Sequence, residues 1–289
     1  MSLRGWLCVL VSLVLTPIAV YAIVFAVGRF LSAPSRSVIQ VPETLSAEPI
    51  LFKSDSGAQI HGSWISGSPN APVVILMHGV RADRRALFRR ADFFKKRGYS
   101  VLLFDFQAHG ESEGDQITFG HLESLDANAA FNFVKAKRPG VRIGIVALSM
   151  GGAAALMGDA SIEAKALVLE AVYPDIRAAT DNRIRRWLGP MSQYLTPIFM
   201  QTMAWQLNIK ESELSPVDRI TKFKNPVLIL SGSKDVHTTA SDTQRLFVAA
   251  NEPKQLVFFE GARHQDLYEY DTAKYENLLE SFFKNSLEN

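Results

Sequence analysis

Cysteine is almost absent from this chain, which has one, Cys8, among its 289 residues. A single cysteine excludes an intrachain disulfide and leaves oxidising and reducing compartments equally open. The sequence also lacks the Cys/His spacing of a metal site and the interleaved basic and aromatic residues of a nucleic-acid surface. We therefore predict no metal, no cofactor and no nucleic-acid partner.

The chain has little excess of charge of either sign, since 31 Lys and Arg residues stand against 29 Asp and Glu residues. Internal repeats and low-complexity tracts are also missing. Hydrophobic residues make up 47% of the chain and charged residues 21%, which is a globular composition with an apolar excess. That excess is concentrated at the amino terminus.

The amino-terminal stretch Trp6–Val27 contains no charged residue. Its length of about 22 residues is enough to cross a hydrocarbon core of roughly 30 Å as a helix, and Pro17 bends such a helix without ending it. We predict that residues 1–30 form one transmembrane anchor. A signal peptide usually has an apolar region of only about 7–15 residues. Cleavage after this segment stays an alternative, because Ala26-Val27-Gly28 is similar to a weak cleavage site.

The charges that flank the anchor nearly balance, with Arg4 and the amino terminus before it and Arg29 and Arg36 after it. We predict a cytosolic amino terminus and a domain on the non-cytoplasmic side. Residues 31–49 contain Ser, Pro, Thr and Glu with little periodicity and are predicted to form a short tether. Residues 50–289 then form one domain.

Apolar runs alternate with helical patterns through this domain, which is typical of a mostly parallel, doubly wound sheet. The alternation of Ile60, Gly62 and Trp64 predicts an early antiparallel strand. About 54 residues separate two later strands, where a bare crossover needs far fewer, so we predict a cap insertion at about 174–216. The parallel strands are predicted at about 73–78, 100–106, 141–148, 166–172, 226–231 and 255–260.

Ser149 stands where an apolar run ends and small residues begin, in the sequence Ile-Val-Ala-Leu-Ser-Met-Gly-Gly. A serine at a sharp turn from strand to helix needs small residues two before and two after it, because larger side chains collide with the backbone. Gly151 meets this need, and Ala147 meets it with an alanine where glycine is usual. The pattern predicts a nucleophile at the turn.

A serine hydroxyl is a poor nucleophile at neutral pH, so an imidazole must take its proton and a carboxylate must orient that imidazole. Asp235 follows the strand near residue 230, and His264 follows the last strand. Because each candidate comes shortly after a parallel strand, we expect the three side chains to meet at one edge of the sheet. We predict Ser149 as nucleophile, His264 as base and Asp235 as its orienting acid.

An oxyanion also needs two backbone N–H donors. The strand Val73–Met77 runs into His78-Gly79-Val80, so Val80 N–H is predicted as one donor. Met150 N–H, which begins the helix after the serine, is predicted as the other, with the helix terminus adding partial positive charge.

The remaining histidines are predicted to be structural. His78 is expected to pack the turn beside the oxyanion donors, and the imidazole of His237 is too close to Asp235 along the chain to fold back onto its carboxylate as the base would. The other three are His61, His109 and His121.

Three further carboxylates compete with Asp235 for the acid role. Asp105 also ends a strand but precedes the nucleophile along the chain. Asp266 and Asp271 follow His264 and are predicted to be solvated or to cap the final helix.

The chain order Ser149, Asp235, His264 resembles that of the α/β-hydrolase superfamily, over roughly residues 50–286. Residues 104–112, Phe-Asp-Phe-Gln-Ala-His-Gly-Glu-Ser, are similar to the Asp-x-Arg-Gly-His-Gly-x-Ser turn of membrane-anchored Bem46-like and lysophospholipase-like serine hydrolases. Gln and Ala replace the Arg and first Gly of that turn. The resemblance implies the α/β-hydrolase fold, with a helical cap, behind one transmembrane helix.

The cap sequence is rich in large, flexible apolar residues at helical spacing, among them Trp187, Leu195, Phe199 and Met203. Most are expected to pack the cap onto the domain, and a few to line a pocket above Ser149 that suits an acyl chain. We therefore expect a membrane-anchored serine hydrolase that cleaves carboxyl esters, including lipid or acyl esters or thioesters. A peptidase or amidase and a non-catalytic binding module are the alternatives.

Basic residues gather after the predicted oxyanion turn and at the start of the cap. One interpretation is a solvated face, and the other is contact with anionic lipid headgroups. The residues concerned are Arg81, Arg84, Arg85, Arg89, Arg90, Lys95, Lys96 and Arg97, followed by Arg177, Arg183, Arg185 and Arg186.

Overall fold

The computed structural model describes residues 3–158 and 162–288, and for residues 3–5, 7–12 and 288 it describes the backbone alone. Two sets of strands are present, an eight-stranded sheet and a two-stranded pair. The strands are β1 (Ser35–Arg36), β2 (Glu48–Lys53), β3 (Gln59–Ile65), β4 (Val73–Met77), β5 (Ser100–Phe104), β6 (His109–Gly110), β7 (Ile143–Leu148), β8 (Ala166–Glu170), β9 (Val227–Gly232) and β10 (Lys254–Phe259).

The helices lie between these strands, with a short 3-10 turn at several connections. They are α1 (Leu3–Ser32), α2 (Phe88–Lys96), α3 (His121–Lys137), α4 (Met150–Met157), α5 (Ile176–Leu188), α6 (Ser192–Leu207), α7 (Pro216–Arg219), α8 (Ala240–Ala249), α9 (Leu267–Tyr270) and α10 (Thr272–Phe283).

The large sheet has the order β2-β3-β5-β4-β7-β8-β9-β10, so chain order is broken once, where β5 comes before β4. β3 is antiparallel to both of its neighbours, and all other pairs are parallel. The central strands are continuous runs of buried apolar residues, as expected for a sheet covered on both faces. The predicted mostly parallel sheet and its early antiparallel strand are confirmed.

Two apolar cores cover the two faces of the sheet. Helices α3, α4 and α8 contribute to one core, together with the cap. Helices α2 and α10 contribute to the other. The carboxyl ends of β7, β8, β9 and β10 therefore lie side by side at one edge, between the two helical layers.

The segment predicted as a tether contacts the domain. Ser35 N–H donates to Ala108 O at 2.8 Å and Ser37 N–H to Gly110 O at 2.9 Å, which pairs β1 with β6. Farther along, Leu45 is buried in the core beside α2. These contacts fix the path of the chain between α1 and β2.

Helix α1 contains the segment Leu13–Ser32, which is long and apolar enough to cross a bilayer. A membrane anchor and a signal sequence both have this length and composition. Its carboxyl-terminal part packs on α6, where the rings of Phe25 and Trp205 lie 5.6 Å apart. Gln206 Nε2 donates to Phe25 O at 3.0 Å. Gly28 leaves room for the Gln206 amide, since a Cβ there would lie 3.1 Å from Gln206 Oε1. The helix is thus docked on the cap.

Helices α5 and α6 form the body of the cap between β8 and β9. Asp175 begins α5 by accepting a hydrogen bond from Ala178 N–H at 2.7 Å, and Asn208 ends α6 in the left-handed conformation. The cap leaves large apolar side chains exposed, namely Trp187, Leu188, Met191, Tyr194 and Trp205.

Candidate active site

Ser149 lies between β7 and α4 with φ 47° and ψ −113°, a conformation that non-glycine residues rarely adopt. Its N–H donates to Glu170 O at 2.8 Å, and its carbonyl accepts from Gly152 N–H at 3.0 Å. Strain of this kind costs on the order of 1–3 kcal/mol and persists only where the surroundings enforce it. The turn is the strained strand-to-helix corner that holds a serine up from the sheet.

Gly151 allows the first turn of α4 to lie against the end of β4. A Cβ at this position would come within 2.5 Å of His78 O and 2.9 Å of Met77 O, both backbone atoms that cannot move aside. Ala147, on the other side of the serine, is completely buried in the sheet. The predicted need for small residues on both sides is therefore met by glycine at a tight contact and by alanine inside the core.

His264 and Asp235 are brought together by the loops after β10 and β9. His264 Nδ1 lies 2.7 Å from Asp235 Oδ2, and Asp235 is buried while His264 is part-exposed. The N–H groups of His237 and Thr238 donate to Asp235 Oδ1 at 2.7 and 2.9 Å. Burial raises the pKa of Asp235, but the His264 hydrogen bond and the two amides outweigh it and hold that pKa below its ordinary value. The carboxylate is thus charged and aimed at the imidazole.

The turn after β4 is held by two buried histidines. His78 Nδ1 donates to Gly79 O at 2.8 Å and its Nε2 accepts from Phe106 N–H at 3.1 Å. His109 Nε2 accepts from Arg81 N–H at 3.0 Å. Burial lowers the pKa of His78 to about 3 and also lowers that of His109, so both rings stay neutral. Their work is to shape the turn that carries Val80.

Val80 and Met150 both border the cavity at Ser149. Met150 is the first residue of α4, and the first N–H groups of a helix have no acceptor within it. Gly79 leaves room beside the serine, since a Cβ there would lie 3.5 Å from Ser149 Cβ. Both residues predicted as oxyanion donors thus lie beside Ser149.

A cavity of about 710 Å³ opens above Ser149. The cap helices supply one wall, and α1 supplies another. Most of its lining side chains are apolar: Val20, Ile23, Val24, Val27, Leu31, Val80, Phe119, Met150, Tyr173, Ile176, Ala179, Ile184, Trp187, Leu188, Leu195, Phe199 and Met203.

Two polar residues border the cavity that the sequence did not place in the site, since Arg183 was assigned to a basic group at the start of the cap and His237 was predicted to be structural. Arg183 of α5 is half-buried, and its Nη1 donates to Ala179 O at 2.8 Å. His237 also borders the cavity, and its ring lies 5.3 Å from that of His264. Burial lowers the pKa of both groups, and the charge of Arg183 lowers the pKa of His237 further. The fold of the cap brings Arg183 to the site, and the loop after β9 that carries Asp235 brings His237 there.

Asp105 is a structural residue. It accepts hydrogen bonds from Arg84 N–H at 2.8 Å and Glu111 N–H at 3.1 Å, and it pairs with the Arg84 guanidinium. Burial raises its pKa despite these partners. Asp105, the competing candidate for the catalytic acid, is therefore engaged in hydrogen bonds that hold the turn that joins β5 to β6.

The basic residues after the oxyanion turn do not form one exposed face. Arg84 is buried against Asp105 and Glu111, and Arg90 is completely buried, so neither the solvated interpretation nor the headgroup interpretation fits them. Others are paired at the surface, for example Arg97 with Glu280 at 2.7 Å.

The strand order, the single reversed strand and the serine at the corner between β7 and α4 define an α/β hydrolase. The chain belongs to the family described as serine aminopeptidase, S33, whose model matches residues 68–216, about half of the chain. The match includes the turn at Ser149 and ends before Asp235 and His264.

Proteins of similar sequence match the chain over most of its length or over part of it. The uncharacterised protein YqkD of Bacillus subtilis is 25% identical over 248 residues, which cover 84% of this chain and 81% of YqkD. The thiohydrolase aneE of Aspergillus aculeatus is 32% identical over 133 residues, 44% of this chain and 41% of that protein.

Solved structures share the fold. The esterase PF2001 of Pyrococcus furiosus superposes with a TM-score of 0.74 at 22% identity, covering 89% of this chain and 98% of the esterase. The α/β hydrolase GrgF of a Penicillium species gives a TM-score of 0.66 at 17% identity, with 84% and 99% covered.

Proposed function

We propose that this protein is a membrane-anchored serine hydrolase that cleaves carboxyl esters, including thioesters, through an acyl-enzyme on Ser149. The observation that carries the proposal is the strained serine at the floor of an apolar cavity, at the sheet edge that also holds the His264–Asp235 pair. A buried, charged Asp235 bonded to Nδ1 leaves Nε2 of His264 as the basic nitrogen.

In the proposed reaction, Ser149 Oγ attacks the carbonyl carbon of the ester while His264 Nε2 takes the hydroxyl proton. Asp235 keeps the imidazole in the correct tautomer and stabilises the imidazolium. The N–H groups of Val80 and Met150 receive the oxyanion, and the amino terminus of α4 adds partial positive charge. His264 then protonates the leaving alcohol or thiol, and the acyl group stays on Ser149.

Deacylation uses the same groups with water as the nucleophile. His264 takes a proton from water, the hydroxide attacks the acyl carbonyl, and Ser149 leaves with the proton returned by the imidazolium. No cofactor takes part in either half of this reaction.

The lining of the cavity favours an ester with a long apolar acyl group. Side chains such as Phe199 and Met203 offer apolar contact, and burying each CH₂ of a chain contributes about 0.8 kcal/mol. The partial likeness to a protein named a thiohydrolase supports inclusion of thioesters.

The family description favours a second candidate, an aminopeptidase. Binding a free amino terminus calls for a carboxylate near the nucleophile, and within the described residues no Asp or Glu lines the cavity. Arg183 and Arg81 line it instead, and a cation repels a substrate ammonium. These features favour ester cleavage.

Membrane anchoring is proposed from α1, with the amino terminus in the cytosol and the domain on the non-cytoplasmic side. The docking of α1 on α6 supports a helix that is retained, because a cleaved segment would leave Trp205 and Gln206 without their partners Phe25 and Gly28. Immunoblotting of the full chain from membranes, with tags at either end, tests retention, and protease protection of the same tags tests orientation.

The enzymatic proposal is tested by labelling the full-length protein in detergent with a fluorophosphonate probe, which reports an activated serine whatever the substrate. Labelling should disappear in Ser149→Ala and His264→Ala and persist in the exposed control Ser241→Ala and in His61→Ala. A folded wild-type protein that takes up no probe would point to a non-catalytic binding module. Hydrolysis of aminoacyl amides faster than esters would favour the peptidase.

A further inference from the structure

One face of α1 lines the catalytic cavity. The residues concerned are Val20, Ile23, Val24, Val27 and Leu31, whose spacing of three and four places them along a single stripe of the helix. The stripe extends about 16 Å along the helix axis at 1.5 Å per residue. Helix α1, which we propose as the membrane anchor, is therefore also a wall of the cavity that holds Ser149.

We place the mouth of the cavity between α1 and α5, because lining residues of both helices are exposed: Ile23 is 64% exposed, Val27 43%, Trp187 76% and Leu188 53%. Arg81 is a further exposed lining residue, beside the end of α1. The α1 and α5 sides of the mouth are thus apolar, and a tryptophan borders it. Tryptophan is enriched where a membrane protein meets the lipid–water boundary.

Contacts at the end of α1 fix the position of the reacting centre along the axis of that helix. Arg81, which follows the predicted oxyanion donor Val80, donates from Nη1 to Phe30 O and Ala33 O at 3.2 Å each. The oxyanion turn therefore lies beside the carboxyl end of α1, and the apolar stripe runs back from there to Val20. Arg29, the first charge after the apolar run, marks the level at which hydrocarbon gives way to headgroups.

We propose that α1 forms part of the acyl-binding site and that the substrate is a membrane lipid ester entering sideways from the bilayer. The ester carbonyl would reach Ser149 at headgroup level, while the acyl chain lies along Val27, Val24 and Val20 and stays in an apolar environment throughout. The inference rests on the proposed esterase function. It identifies the substrate class and assigns specificity to residues of the anchor.

The test uses the full chain in phospholipid vesicles and two fluorophosphonates, one with an ethyl group and one with a long alkyl chain. Val24→Trp fills the cavity wall, and Val14→Trp places the same change on α1 at an exposed residue that is not among the cavity-lining residues. We expect Val24→Trp to slow labelling by the long probe roughly tenfold or more and to spare the ethyl probe. Val14→Trp should leave both rates unchanged.

Val27→Trp, at an exposed position of the same stripe, provides a second variant that disturbs packing less and should show the same selective loss. Equal slowing of both probes in Val24→Trp and Val27→Trp, or no slowing of the long probe in either, would overturn the inference. If the wild-type protein were labelled by neither probe, the proposed function would fail and the inference with it. Labelling of the wild-type protein by the ethyl probe distinguishes failure of this inference from failure of the proposed function.

Sideways entry has its own measurement in the same vesicles. The long probe is loaded either into the vesicles that hold the protein or, in the same amount, into separate vesicles. Sideways entry predicts prompt labelling in the first case and, in the second, labelling only as fast as the probe crosses the water between vesicles. Equal rates in the two cases would show entry from water and would overturn this part of the inference.

Discussion

Asp266, two residues after His264, accepts two hydrogen bonds from the buried guanidinium of Arg90 on α2, at 3.0 and 2.7 Å. The same guanidinium donates to Glu170 Oε2 at 2.9 Å, and Tyr275 O–H donates to that oxygen at 2.7 Å. Asp266 also begins α9 by accepting from Tyr268 N–H. The loop that presents His264 is thereby fastened to α2 and β8 through one buried cation.

Replacing Arg90 with methionine should destabilise the protein strongly, because the carboxylates of Glu170 and Asp266 would lose the buried cation that pairs with both. Breaking a buried pair by removing one partner costs about 3–5 kcal/mol. Fluorophosphonate labelling should also slow as the His264 loop loosens. Chemical unfolding and labelling rates check both, with Arg89→Met as the control, since Arg89 pairs with Glu269 at the exposed surface. Equal effects of the two variants would contradict the positioning role.

Asp235→Asn should lower kcat on the order of 10⁴-fold and change KM little, because an amide at this position favours the wrong imidazole tautomer. Esterase kinetics on a soluble short-chain ester measure both constants. Asp105→Asn provides the comparison, since that residue is paired with Arg84 away from His264. Its variant should lose stability, and the kcat of the remaining folded protein should stay near that of the wild type.

Gly151→Ala should reduce both stability and labelling, because the new methyl group would collide with the backbone of His78 and Met77 and push α4 away from the turn. Gly79→Ala is the matched change on the facing turn, where the nearest atom is at an ordinary contact distance of 3.5 Å. The thermal midpoint and the labelling rate should fall more for Gly151→Ala. The reverse order would show that the approach of α4 to β4 is not what holds the serine.

Asp126 contributes to the stability of the folded state, and that contribution should decrease as pH rises. Its carboxyl is buried, accepts from Ser56 O–H at 2.6 Å and Gln107 N–H at 2.8 Å, and burial raises its pKa to about 7. An unfolded aspartate has a pKa of about 3.9, so between these values the folded state binds more protons and its stability falls as pH rises. The free energy of unfolding of Asp126→Asn relative to the wild type should therefore increase from pH 4 to pH 7 and then level off. A difference that is constant with pH would contradict the raised pKa.

The strands could be predicted because their signal is local. Val73–Met77 is an unbroken apolar run, and burial on both faces of the sheet demands such a run. The serine turn was predictable for the same reason, since Ala147 and Gly151 act on neighbouring backbone. The chain order of Asp235 and His264 placed both after parallel strands, and in a parallel sheet those strand ends share one edge.

Features that depend on distant segments could not be predicted from the sequence. Arg90 looks like its neighbour Arg89 along the chain, and only the return of α10 with Tyr275 buries one and leaves the other exposed. The contact of Phe25 with Trp205 likewise joins residues about 180 positions apart. Because α1 is apolar on every side, its sequence does not indicate which face borders the cavity.

Helix α1 is tied to the domain where it ends, because Arg81 donates to Phe30 O and Ala33 O and β1 pairs with β6 directly after them. Helix α1 measures about 45 Å for 30 residues. If α1 spans a bilayer as proposed, the thickness of that bilayer would set the height of Ser149 above the lipid. A thicker membrane would bring the cavity mouth closer to the acyl chains and a thinner one would move it away, so the proposed lipid hydrolysis should depend on membrane thickness.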